Sequence, residues 1–227
     1  MVFRLMFHDF FLRRRRTMKI AIIGSGNVGA ALAKAWARAG HEIKMGVRDV
    51  SSPKVTDLLK DIGSGATAAS VRDAADFGEI IVLATPWSAV QDAVKSLGDI
   101  SGKVLFDCTN PFKPQLAGLE VGLDNSGGES VQAWAPNAKV VKIFSTVGAE
   151  TMEDASFAQG KPAMIYCGND PAAKQTAATL TAEIGFEPFD LGTIEQARLL
   201  EPFAMIWVRL AFFQGVGRNF AFGVLKK

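Results

Sequence analysis

The stretch Gly24-Ser25-Gly26-Asn27-Val28-Gly29 spaces its glycines as G-x-G-x-x-G, a spacing suited to holding a pyrophosphate. Gly24 permits a tight turn, Gly26 lets backbone approach the anion, and Gly29 lets a helix pack closely on a strand. The anion then rests on free amides at the positive end of the helix dipole. A glycine-rich turn with no ligand has the same composition, so context must decide. The run "MKIAIIG" before the motif reads as a buried strand, and helical spacing follows it.

The second strand bears on which dinucleotide is held. NAD enzymes place an acid there, roughly twenty residues beyond the glycines, to accept hydrogen bonds from the ribose diol. In "HEIKMGVRDV", residues 41–50, Val47 holds that place, Arg48 is the first residue out, and Asp49 falls in the loop. An arginine there can grip a 2′-phosphate with its guanidinium fork, whereas a carboxylate repels it. Lys54 can add a second cation. The expected cofactor is therefore NADP(H), with solvated loop charges as the alternative reading of Arg48 and Lys54.

Other chemistries lack their residues. The chain has two histidines, His8 in the N-terminal arm and His41 in a turn, and neither belongs to a cluster able to hold a metal or activate a nucleophile. The sole tyrosine, Tyr166, has Asp170 rather than lysine four residues on, so the short-chain dehydrogenase pair is missing. A nicotinamide protein without an evident acid or base suits an acceptor that needs none, such as a flavin-like ring. Hydride transfer then depends mainly on orienting two rings.

These residues need a scaffold. Val28, Leu32, Ala35 and Trp36 recur with helical spacing until Gly40. Apolar runs at 41–47, 79–84, 103–107 and 139–144, with a weak strand at 65–68, alternate with helical segments. That alternation predicts an α/β fold, a Rossmann-type doubly wound parallel sheet over residues 18–150. Beyond it, strands at 162–168 and 186–191 and helices at 170–184 and 194–213 predict a small C-terminal α/β lobe, residues 151–227. In the last helix Leu199, Phe203, Ile206, Leu210 and Phe213 share a face that Leu200, Ala204, Trp207 and Ala211 widen. So broad an apolar surface needs cover from the sheet or a second subunit, and a homodimer is expected.

Composition narrows the partners. Net charge is +2, but residues 1–17 hold five arginines against Asp9, leaving −2 on the rest and no basic face for nucleic acid. Those seventeen residues carry their arginines after their apolar part, the reverse of a secretory signal, and Met18 directly precedes the first strand. They read as a disordered extension or the product of an upstream start codon. No apolar run spans a bilayer, and Cys108 and Cys167 form no CxxC pair, so a cytoplasmic protein with free thiols is expected.

Taken together and in order, "IAIIGSGNVGAALA", "GHEIKMGVRD", "VLATPW", "DCTNP", "VVKIFSTVGAE" and "ARLLEPFAMIWVRLA" resemble the deazaflavin (coenzyme F420)-dependent NADP oxidoreductase family, from Met18 to the C-terminus. The N-terminal lobe is also similar to the NADPH-oxidising domain of the STEAP metalloreductases. The resemblance implies NADP(H) across the switch point of the sheet, with a deazaflavin or flavin stacked on the nicotinamide. It implies that Ser25, Asn27 and Val28 contact pyrophosphate and that Arg48 takes the 2′-phosphate. Thr85, Pro86 and Asn110 would border the nicotinamide half, and Thr146, Gly148 and Ala149 would frame the stacking pocket. Turn capping beside a proline is the plainer reading of Thr85 and Asn110. Val47 and Ser145 depart from the family, which often has Ser and Asn or His there. Residues 111–128 are long for a connection and read as a lid or an irregular surface loop.

The activity implied is hydride transfer between nicotinamide and a deazaflavin or flavin, with no side chain assigned as catalytic. An imine or pyrroline-carboxylate reductase shares such an N-terminal lobe, though it usually carries a longer helical domain. A non-catalytic NADPH-sensing module is the third reading.

Overall fold

The structure is a computed structural model and describes residues 16–227 except Ser64 and Leu123. The expectation for the N-terminal extension lies outside the described residues as far as residue 15.

The first strand shows why a parallel sheet forms. In β1 (Lys19–Ile23) the side chains alternate, so Ile20 and Ile22 enter the core on one face of the sheet while Ala21 and Ile23 enter the other. β4 (Ile80–Leu83) repeats the pattern with Ile80 and Val82 against Ile81 and Leu83. A strand buried on both faces needs an unbroken apolar run, and each large side chain so buried contributes about 1.5–3 kcal/mol.

The remaining strands are β2 (Glu42–Gly46), β3 (Ala66–Ala69), β5 (Val104–Asp107), β6 (Lys139–Lys142), β7 (Ala163–Gly168) and β8 (Glu187–Asp190). They form one sheet in the order β3-β2-β1-β4-β5-β6-β7-β8. Neighbours from β3 to β6 pair parallel, β7 runs antiparallel to β6, and β8 parallel to β7. This is the doubly wound Rossmann-type α/β fold, with the order reversing between β1 and β4. The segment beyond residue 150 adds β7 and β8 to the same sheet.

The described helices are α1 (Asn27–Arg38), α2 (Pro53–Ile62), α3 (Val71–Phe77), α4 (Val90–Ser96), α5 (Gly127–Trp134), α6 (Ala149–Glu153), α7 (Pro171–Glu183) and α8 (Ala197–Phe213). On one side of the sheet, α1, α2 and α7 supply Leu32, Trp36, Val55, Ala173 and Leu180. On the other, α3, α4, α5 and the start of α8 supply Ala74, Val94, Val131 and Leu200. Trp36 is fully buried, donates its indole N–H to the Leu180 carbonyl at 3.1 Å, and meets Phe144 edge-on at 5.6 Å.

The face of α8 that enters the protein carries Leu200, Ala204, Trp207, Val208 and Ala211. The neighbouring stripe of Leu199, Ile206 and Phe213 stays outside, from 48% to 60% exposed. Residues 111–120 fold back on themselves through a bridge between Phe112 and Leu119, and Phe112 and Leu116 pack on the Trp207 cluster; Gly127 already belongs to α5.

The two cysteines sit in different cores, Cys108 on the α1 side of the sheet and Cys167 on the α5 side, so they cannot pair. Burial, with Asp107 nearby, pushes the Cys108 thiol well above its ordinary value despite the opposing Lys142. Burial likewise pushes Cys167 up to about 12. The native protein at pH 8 will therefore leave both thiols unreacted toward a chromogenic disulfide reagent until denaturant is added. Rapid labelling of one thiol per native chain would show that one face of the sheet opens.

Candidate active site

The glycine turn joins β1 to α1, as its spacing requires. Gly24 has φ +112°, and a Cβ there would lie 2.5 Å from the Ala84 carbonyl oxygen. A Cβ on Gly29 would lie 2.1 Å from the Gly24 oxygen, so only glycine allows α1 to sit this close to the turn. Gly26 differs: a Cβ there meets nothing within 4 Å, because that side faces open space. The turn is thus tight where helix and strand meet and vacant where a ligand would approach.

The amides around it are free for that ligand. The Ala30 N–H reaches the Gly26 carbonyl at 2.9 Å, and no side chain caps the N-terminus of α1. The backbone N–H groups of Asn27, Val28 and Gly29 therefore precede the hydrogen-bonded ladder. The Val28 side chain packs on the core, so a contact from Val28 to an anion would come from its backbone.

A cavity of about 660 Å³ opens beside this turn at the C-terminal ends of the strands. It brings together Gly24, Ser25, Gly26, Val47, Arg48, Lys54, Thr85 and Pro86. α4 closes one side with Asp92, Ala93 and Ser96. A larger cavity of about 800 Å³ lies among the C-terminal ends of α1, α6 and α7, away from these residues.

The end of β2 separates two adjacent charges. The Val47 amide still pairs with the Ala69 carbonyl at 3.1 Å, and its side chain is buried. Arg48 is the first exposed residue and lines the cavity. The Asp49 carboxylate turns back to accept the Ser51 hydroxyl at 2.6 Å and the Ser51 amide at 2.9 Å. Those bonds hold its carboxyl below the usual aspartate range.

The other expected residues lie at neighbouring strand ends, outside the lining of this cavity. Asn110, beyond β5, donates its amide N–H to the Ser145 carbonyl, beyond β6, at 2.8 Å. Thr146, Gly148 and Ala149 are buried, with Gly148 against the Trp207 ring. Three buried polar atoms here have no partner among the described residues: Thr85 Oγ1, Asn110 Oδ1 and Ser145 Oγ. They belong to the loops after β4, β5 and β6, three adjacent strands. Buried polar atoms are normally paired, so an unpaired trio at three adjacent strand ends, with Thr85 lining the cavity, fits a polar ligand group.

An ionic cluster absent from the sequence reading lies beneath them. Lys142, at the end of β6, is fully buried, with its ammonium 3.0 Å from Asp107 Oδ2 and 3.1 Å from Glu201 Oε1 of α8. It also donates to the Thr109 carbonyl. Glu201 in turn accepts the Gly127 and Gly128 amides at 2.9 and 3.0 Å, capping α5. Burial works against the ammonium, but Asp107 and Glu201 outweigh it and raise the lysine pKa above 10.5. The available signals were a lysine inside the apolar run "KVVKIF" and a glutamate inside an apolar helix.

Comparison with known proteins agrees with this geometry. The family model described as NADP oxidoreductase, coenzyme F420-dependent, matches residues 19–111. A crystal structure from Arthrobacter sp. FB24, assigned as an F420-dependent NADP-reductase, superposes with TM-score 0.83 at 33% identity, covering 92% of this chain and 100% of that one. The chain belongs to the coenzyme F420-dependent NADP oxidoreductase family. Its curated relatives include the F420-dependent NADP reductase of Methanocaldococcus jannaschii, 28% identical over 85% of this chain and 92% of the relative. The metalloreductase STEAP3 of Rattus norvegicus is also 28% identical, over 81% of this chain but 36% of that protein.

The family's glycine turn makes opposite demands at two positions. Gly26→Ala will leave unfolding in the absence of nucleotide nearly unchanged but weaken NADPH binding. Gly29→Ala will destabilise the protein itself by about 1–3 kcal/mol through overpacking. Chemical denaturation and NADPH titration of both variants separate the two effects; equal stability losses would contradict the assignment.

Proposed function

We propose that this protein transfers hydride between NADP(H) and a deazaflavin of the coenzyme F420 type, with a flavin as the related acceptor. The observation that carries the reading is one cavity that joins the glycine turn, at Gly24, Ser25 and Gly26, to two cations, Arg48 and Lys54. That combination suits a pyrophosphate at one end and a 2′-phosphate at the other. The relatives assigned as F420-dependent NADP reductases support the acceptor.

When bound, the nicotinamide supplies or receives the hydride at its C4 and the deazaflavin is its redox partner. The residues of this chain bind and orient. Ser25 and the amides of Asn27 and Val28 hold the pyrophosphate, while Arg48 and Lys54 hold the 2′-phosphate. Thr85, Pro86 and Asn110 border the nicotinamide, and Thr146, Gly148 and Ala149 frame the acceptor ring. No side-chain acid is assigned to the transfer, which depends on stacking the two rings at reacting distance. Among the described residues no group of three or more His, Cys, Asp or Glu side chains is suited to a metal.

The exposed Leu199, Ile206 and Phe213 stripe of α8 supports a homodimer in which residues 151–227 provide the dimer contact and, through Trp207 against Gly148, help form the acceptor site. Among the described residues no helix is long and apolar enough to cross a membrane, and both cysteines are free. A cytoplasmic protein with a small-molecule acceptor, binding neither nucleic acid nor membrane, is in keeping with these features.

Mixing the protein with NADPH and coenzyme F420, a flavin or a cyclic imine tests the activity. Rapid reduction of the deazaflavin is expected; turnover of the imine alone, or tight NADPH binding with no turnover, would replace this reading. For the nucleotide, Arg48→Ala will weaken NADPH by about 10- to 100-fold, the scale of hydrogen bonds to a charged group, and NADH far less. Equal losses for both would remove Arg48 from the phosphate. In sedimentation experiments Ile206→Glu will shift the protein to monomer, and an unchanged mass would exclude α8 as the contact.

A further inference from the structure

We propose that Glu201 and Lys142 are positioning residues that set Asn110 for the nicotinamide carboxamide; the inference rests on the NADP(H) reading above. The grip converges on Thr109. Its amide and hydroxyl donate to Asp107 Oδ1 at 2.9 and 2.6 Å, and its carbonyl accepts from Lys142. Every polar atom of Thr109 is thus held, and the next residue is Asn110.

The same clamp is complete at the lysine. An ammonium has three N–H donors, and Lys142 finds three acceptors: Asp107, Thr109 and Glu201. Glu201 fixes the third from α8 while tied to two α5 amides. A buried ion pair is commonly no more stabilising than apolar side chains of similar volume, so stability alone does not account for three charges sealed here. Their common effect is to fix one turn at the end of β5.

That turn presents acceptor and donors in a matched set. One Asn110 N–H is committed to the Ser145 carbonyl, which orients the amide and leaves Oδ1 an acceptor without a partner. The unpaired hydroxyls of Thr85 and Ser145 lie at the two flanking strand ends, β4 and β6. A primary carboxamide offers N–H to the acceptor and a carbonyl to the hydroxyls. Such a set fixes which face of the nicotinamide ring meets the acceptor. The glutamate of α8 thereby acts on the far half of the nucleotide without touching it.

Glu201→Gln keeps the shape and removes the charge. Its affinity for 2′,5′-ADP, the adenosine half alone, will stay within about twofold of wild type, while its affinity for NADP falls about tenfold, the worth of a hydrogen bond. Deuteride transfer from stereospecifically labelled NADPH will lose facial selectivity. Equal losses for NADP and 2′,5′-ADP, or no loss for either, would overturn the proposal. If Glu201→Gln does not fold, Asp107→Asn decides by the same affinity ratio. A wild-type protein that binds NADP much more tightly than 2′,5′-ADP yet reduces no deazaflavin would sink the activity reading and leave this inference standing.

Discussion

A lysine ammonium sealed inside a parallel sheet constrains everything packed around it. Lys142 lies opposite Asp107 in the β5–β6 register, so a slip of one residue would turn the cation away from its carboxylate and onto the other face. Removing one partner of such a buried pair costs about 3–5 kcal/mol, because the remaining charge is left without compensation. Register between two central strands is therefore enforced more sharply here than valine and leucine packing alone would enforce it. The raised pKa also fixes the pH behaviour. The group contributes its full stability below the ordinary lysine value of 10.5 and loses it only as pH climbs through the higher folded value, far from neutrality.

The cluster also explains why two helix N-termini with similar glycine content end in different states. At α5, Gly127 and Gly128 bring bare amides to a carboxylate from the same chain, and Ser126 accepts the Glu129 amide as well. That N-terminus is satisfied from within. α3 and α7 are capped by Ser70 and Asp170. α1 has neither an internal carboxylate nor a side-chain cap, and its open side borders the cavity. α2, α4, α6 and α8 also lack a side-chain cap, so what marks the α1 N-terminus as a binding feature is the glycine turn and the cavity in front of it.

How much of this was legible in the sequence follows from the range of each interaction. The glycine turn, the Arg48 exit and seven of the eight strands depend on spacing within a few residues, and the sequence pattern locates them to within two residues; β3, made of alanine and threonine with no large apolar side chain, gives only a weak signal. Lys142 and Glu201 eluded the same reading because a single charge within an apolar run has no local signature of its partner. Glu201 is tied to Lys142, Gly128 and Gly127, between 59 and 74 positions away, and only the docking of α8 supplies it. The apolar surface of α8 was legible only in part for a related reason. Periodicity showed that two adjacent faces were apolar, but not that the one led by Leu200 and Trp207 would turn inward. Phe144 was equally invisible. Its φ of +56° is rare for an aromatic residue and costs about 1–3 kcal/mol, offset by edge-on contacts with Trp36 and Phe186, and it directs the chain from β6 into Ser145 and Thr146.

The β2 end shows how a nucleotide preference can arise from what a neighbouring charge is prevented from doing. Arg48 and Asp49 are adjacent, and on composition alone their charges would cancel near a ribose. The fold separates them by spending the carboxylate: both hydrogen bonds from Ser51 pull Asp49 into the following turn, while Val47, still paired to β3, fills the place where an acid would accept a ribose diol. At this end of the cavity the β2 exit presents a guanidinium, with a lysine on the next helix. At the β2 end of the site a 2′-phosphate meets two cations, while the adjacent Asp49 carboxylate is held by Ser51. The proposed preference for NADP(H) thus depends on the Ser51 turn as much as on Arg48 itself.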